Sequence, residues 1–262
     1  MLQIMISESI GLSNRENMLK WAQMKRFLLT VIMLSLGTAL LAKVTIVSPR
    51  DRTQIFYETI SLNILAEPAS RIFINDQPLQ VAENGQIQVE LELRLGKNYV
   101  QVRDDDTTAA IRLIRVQTFP DIEGTKESWR NQIIYLATLG LIEGLPDGNF
   151  YPDRPISREE WATWQAKAWQ LEVKVPTQAV ATDVAVDYWR APYIKAALEA
   201  NLLTLKADGS FGLDEPVGGD LTRRGAVAIL ARQKMVQSQL RDLFNFKKGY
   251  NKGTFCRWTI KP

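Results

Sequence analysis

Gly140-Leu-Ile-Glu-Gly-Leu-Pro-Asp-Gly-Asn-Phe-Tyr-Pro-Asp-Arg-Pro-Ile-Ser-Arg-Glu-Glu160 is the stretch whose reading decides the fold. It spells helix end, turn, short extended piece, turn and helix start. Gly140 ends an apolar helical stripe, where a left-handed cap suits glycine. Pro146-Asp147-Gly148 is turn chemistry: proline presets φ, aspartate bonds its own backbone, and glycine accepts φ > 0. Ser157 and Glu160 have capping-box spacing, and Ile156 and Trp161 flank the cap as a hydrophobic staple.

On either side the apolar period is 3.6. Trp129, Ile133, Leu136 and Gly140 share one helical face; Trp161, Trp164 and Ala168 share another, with Trp169 just beyond. The segment then repeats itself. Thr182-Asp-Val184 echoes Pro120-Asp-Ile122, and Trp189 echoes Trp129. Asp208-Gly-Ser-Phe211 echoes Asp147-Gly-Asn-Phe150, and Thr222-Arg223 echoes Ser157-Arg158. The second copy is degenerate. Gly144 and Pro146 have no counterparts in Leu205-Lys-Ala207, and Gly225 stands where the capping glutamate would be.

Phe119-Pro-Asp-Ile122, Trp129, the Gly140–Phe150 run and Ile156-Ser-Arg-Glu-Glu160 fall in the order and spacing of an S-layer homology (SLH) repeat, whose pattern is roughly F-x-D, W, G-[IL]-I-x-G-x-P-D-G-x-F and [IV]-[TS]-R-A-E. The resemblance implies a mainly helical bundle of two repeats, 118–175 and a degenerate 176–240, attached to pyruvylated wall-linked polysaccharide or peptidoglycan. It points to Arg158, Glu159, Trp129, Gly144, Asp147, Gly148 and Arg223 as glycan-binding residues. Chemistry leaves Arg158 open between a solvated arginine and an anion clamp. A guanidinium beside free helix N–H groups offers a carboxylate a bidentate fork plus backbone donors. For the tryptophans, helical spacing makes core the default, with Trp129 the candidate for sugar stacking.

Upstream, over 43–117, the period is two. Ile87, Val89, Leu91, Leu93 and Leu95 alternate with polar residues, as do Ile60-Leu62-Ile64 and Ile111-Leu113. Turn signals at Ser48-Pro49, Asn75-Asp76, Asn84-Gly85, Gly96-Lys97-Asn98 and Asp104-Asp105-Asp106 separate six or seven strands, which predicts a small antiparallel β-sandwich. Several of these runs resemble a bacterial immunoglobulin-like module of the glucodextranase-B kind. The expected fold class is therefore α+β multidomain, sandwich first and helices second. Asp104-Asp105-Asp106 reads as a solvated hairpin tip. Asp147–Asp153 lacks the glycine and glutamate that an EF-hand loop requires.

The chain has 262 residues, no histidine and one cysteine, Cys256. Histidine-dependent catalysis, histidine metal sites and intrachain disulfides are excluded. No nucleophile motif and no spare segment suggest an enzyme, and no cofactor is expected. Net charge is +3, and Arg15, Lys20, Lys25 and Arg26 outnumber the acids of the leader, so nothing marks a nucleic-acid partner. Lys25-Arg26, an apolar run from Phe27 and a small residue before Lys43 describe a signal peptide over 1–42, with Met24 the expected true start. Leu40 weakens the cleavage signal, so an uncleaved N-terminal anchor stays open; a stable membrane span is not otherwise expected. The reading is an exported, non-catalytic envelope protein in the periplasm, wall or cell surface. The alternatives are a structural module that has lost glycan binding, or the anchor of a wall-active hydrolase complex. Residues 241–262 read as a tail, its lysines and arginine solvated. With no third repeat, the apolar stripes call for a homo-oligomer or for closure by Phe244, Phe246, Tyr250, Phe255 and Trp258.

Overall fold

The computed structural model describes residues 44–250 and 252–260. The expected leader lies outside them, and Val44 onward forms one compact unit. The strands are β1 (Val44–Ser48), β2 (Gln54–Ile55), β3 (Thr59–Ala66), β4 (Arg71–Ile74), β5 (Gln77–Gln80), β6 (Gln86–Glu92), β7 (Gly96–Arg103), β8 (Thr108–Arg115) and β9 (Arg257–Ile260). The helices are α1 (Glu127–Thr138), α2 (Arg158–Ala168), α3 (Ala191–Glu199), α4 (Arg223–Ala231) and α5 (Lys234–Leu243). Eight strands precede the helices and β9 follows them, so strands and helices are segregated as in an α+β chain. None of the described helices is long and apolar enough to cross a membrane.

The strands form two sheets, ordered β1-β3-β6-β9 and β2-β8-β7-β4-β5. Leu62, Ile64, Val89 and Leu91 from the first meet Ile72, Ile74, Val100, Val102 and Leu113 from the second in one buried core. Each such side chain contributes about 1.5–3 kcal/mol on burial. Asn75 and Asp76 both take positive φ and turn β4 into β5, as expected of a two-residue hairpin. Asp104 closes its own hairpin, its carboxylate accepting from the Asp106 and Thr107 amides.

Two expectations for this region change. The alternation up to Leu95 predicts one strand, but β6 ends at Glu92 and Leu95 is exposed. The buried Asn98 side chain holds both the N–H and the C=O of Arg94, which folds the chain into a turn there. The C-terminal stretch is also no solvated tail. Phe244 and Phe246 pack on the helical core, Phe255 stacks on Tyr99, Cys256 is 4% exposed, and β9 pairs with β6. The β part therefore takes its last strand from beyond the helices.

In the helical part the capping box at Ser157 and Glu160 forms as read, and Ile156 and Trp161 are buried. The two sequence repeats interleave rather than stand side by side. The core around α1 takes Ala226, Val227 and Leu230 from α4; that around α3 takes Ala162 from α2. Each repeat's first helix is thus covered by the other's second. Trp161 and Trp164 are buried inside this pair, and Phe244 and Phe246 pack against the same core.

Candidate functional site

Backbone pairing across the interleaved repeats is reciprocal. The Arg158 amide donates to the Glu215 carbonyl and the Arg223 amide to the Arg154 carbonyl, each at 2.9 Å. The side chains follow the same exchange. Arg223 donates through Nε to the Phe150 carbonyl at 2.8 Å and through a terminal nitrogen to the Glu143 carbonyl at 2.6 Å. Arg158 donates to the Phe211 and Thr204 carbonyls, each at 2.6 Å. Every repeat's loop is held by the other repeat's arginine.

The loop 143–153 is built by glycines at two positions. A Cβ on Gly144 would sit 2.4 Å from the Phe119 ring and 2.9 Å from the Asn149 carbonyl, so no other residue fits there without movement. Gly148 has φ +86°, which favours glycine. In the second repeat Ala181 takes the place of Phe119, which removes the ring that Gly144 makes room for, and Leu205 is tolerated. Asp121 anchors the first loop by accepting from the Phe150 and Tyr151 amides. Asp183 does the same for Phe211 and Gly212. Burial pushes the Asp183 carboxyl up, but these amides together outweigh it and hold it below the usual range. At the tip, Tyr151 donates to Asp147, and that hydrogen bond leads in lowering the Asp147 carboxyl. An open cleft of about 340 Å³ lies beside this loop, lined by Phe119, Glu143, Gly144, Leu145 and Gly148 among others.

Of the seven expected glycan contacts, Trp129, Gly144, Asp147, Gly148 and Arg223 gather at this first loop. Arg158 and Glu159 face the second. Arg223 needs a correction: it is 0% exposed, paired with Glu160 and packed on the Phe150 and Trp164 rings. Burial pulls its guanidinium below the ordinary value while Glu160 opposes this. It shapes the loop and presents no donor to a polymer. Glu159 is also occupied, accepting from the Tyr188 hydroxyl with Arg190 Nε at 3.8 Å. Arg190 continues to Glu143 at 3.1 Å, and Glu143 to Lys167 at 2.8 Å, so one string of charges links the two loops.

What the loops present outward is a pair of tryptophan rings, each with an arginine over it. Trp129, 37% exposed, carries the Arg224 guanidinium at 4.1 Å, which also reaches Asp153 at 2.9 Å. Trp189, 58% exposed, carries Arg190 at 4.2 Å, but that arginine is itself 6% exposed and held by Glu143 and Glu159. Arg224 and Arg190 were not singled out from sequence. The available signals were the Arg223-Arg224 doublet and the Trp189-Arg190 dipeptide, but neither shows which ring lies under which guanidinium. Among the described residues no cluster of three Cys, Asp or Glu could hold a metal ion.

The family model for the S-layer homology domain matches residues 118–162, from the end of the β part through the first turn of α2. No curated protein matches the chain. An SLH domain is a binding and anchoring module, not a catalytic one, and its presence directs the chain to the cell wall or cell surface.

Proposed function

We propose that residues 118–243 attach this chain to an anionic wall polymer, a pyruvylated polysaccharide or the peptidoglycan itself, without catalysis. The reading rests on the exposed stack of Trp129 and Arg224. A ring face suits the apolar face of a sugar, and a guanidinium beside it suits the carboxylate of a pyruvyl group or a peptide stem. Trp129, Arg224 and the Asp147–Tyr151 tip form the principal contact. Gly144, Gly148 and Arg223 hold its shape. Arg158 supplies a second anion point, because no carboxylate pairs with it among the described residues. We further propose that residues 1–42 export the chain and that the β part is an immunoglobulin-like module.

A second reading follows from one observation: both expected clamp arginines spend donors on backbone carbonyls. On that reading the pair of repeats is purely structural. Retention on purified wall sacculi, before and after the linked polysaccharide is stripped, separates the two. Attachment predicts retention that falls in Trp129→Ala and Arg224→Ala; a further fall on stripping assigns the polymer to the linked polysaccharide, and retention unchanged by stripping assigns it to the peptidoglycan. Equal retention by all proteins on both sacculi would leave the structural reading.

A further inference from the structure

The segment that follows α5 makes its contacts almost wholly with residues far back in the chain. Its start belongs to the helices: Phe244 packs edge-on against Tyr135 at 4.8 Å. It then crosses the β part, where four side chains donate to its backbone carbonyls. Arg112 reaches Phe246 at 3.1 Å, Lys97 reaches Lys248 at 2.7 Å, Arg94 reaches Gly253 at 3.2 Å, and Asn75 reaches Cys256 at 3.1 Å. All four address backbone: the first three carbonyls lie in turns and a short 3-10 helix, and that of Cys256 lies just before β9.

The seat for that strand is an open side of the two-sheet core. β4 pairs with β7 only at Phe73–Arg103 and Ile74–Val102, so the first half of β7 lacks a neighbour on that edge. Phe255 bridges to Tyr99 there and stacks on its ring at 5.6 Å. Cys256 drops into the core. The chain then changes sheets and runs antiparallel to β6, with Arg257 opposite Glu92. Asn75 is itself committed to the seat. Held at φ +49°, its side chain accepts from the Gln101 amide on β7 and donates to the Cys256 carbonyl.

We propose that the open side between β6 and the first half of β7 is a strand-acceptor site whose occupant is this chain's own segment 252–260, and that the segment acts as a latch tying the helices to the β part. Main-chain pairing supplies the affinity. Phe255 on Tyr99 and Cys256 in the core set the register.

Thiol labelling of the full chain reads the latch directly, because Cys256 is the only cysteine. Burial pushes its thiol up to about 11, which adds to protection by removing thiolate. Labelling should be at least about a hundredfold slower than in denaturant, and Asn75→Ala should speed it about tenfold by favouring local opening. Arg71→Ala, on the same sheet but away from the seat, should leave the rate unchanged. Rapid labelling of the folded wild type, or equal rates in Asn75→Ala and wild type, overturns the proposal. Protection that vanishes on dilution assigns the seat to a second copy and overturns occupancy by the chain itself. As an independent measurement, the folded chain can be cut at a protease site engineered after Lys248. The released fragment should co-elute with the remainder on gel filtration. A fragment that leaves while far-ultraviolet circular dichroism stays unchanged would show that nothing depends on the seat.

Discussion

Arg223 and Arg158 occupy equivalent places in the two interleaved repeats, yet their surroundings differ in charge. Both open a helix, both reach two carbonyls of the opposite loop, and both lie over a phenylalanine. Arg223 is fully buried and meets Glu160, which also closes the α2 capping box. Arg158 is half-buried, and the opposite repeat, into which it reaches, has Gly225 where the first repeat has Glu160. The same backbone geometry thus holds a neutralised strut on one side and an uncompensated cation on the other. Degeneracy of the second repeat has moved charge without moving the chain.

Removing Glu160 should have the largest effect. Glu160→Ala strands a buried guanidinium and breaks a cap, and truncating one partner of a buried pair typically costs about 3–5 kcal/mol. A melting temperature near that of wild type would show that Arg223 does not depend on its carboxylate. Arg158→Ala comes next. It removes two charge-assisted hydrogen bonds but leaves no orphaned acid, so a loss of about 2 kcal/mol is expected from chemical denaturation. As a solvated arginine, Arg158 would cost almost nothing to remove; its two carbonyl contacts are the reason for the larger figure. If the two variants prove equally damaging, the contrast between the repeats fails.

Gly225→Glu tests the contrast from the other direction. It should complete the cap at Thr222 and give Arg158 a partner, raising stability by about 1 kcal/mol through cap and helix propensity. Its Cβ would meet Leu221 at 3.1 Å, which that flexible side chain can yield. On the attachment reading the variant also weakens retention on sacculi by neutralising the second anion point.

The smallest effect concerns pH. Burial, then the hydrogen bond to Glu159, push the Tyr188 hydroxyl far above the usual phenol range. A folded pKa raised above the unfolded one contributes stability that is complete below the unfolded value, about 10, and is lost as pH rises past it. Tyr188→Phe should lower stability slightly at neutral pH and flatten the decline between about pH 10 and 11. An unaltered alkaline limb would mean that Tyr188 ionises alike in the folded and unfolded chain.

Sequence alone determined the local pieces of this protein. The period of two in the first part, the period of 3.6 in the second, the capping box at Ser157, the turn at Gly148 and the internal echo of one stretch by another are all written in short runs of residues, because caps, turns and amphipathic faces are local physics. Tertiary structure decided what those pieces meet. Which loop an arginine enters depends on how two similar repeats interleave, and a period of 3.6 is the same whether a helix packs within its own repeat or against the next. Arg223 therefore passed for a surface contact, and Arg224 went unseen. The last strand was hidden for the same reason. Arg257–Ile260 is too short to show a period, and its partner β6 lies more than 160 residues earlier in the chain, so only the folded chain shows that the sheet was unfinished without it.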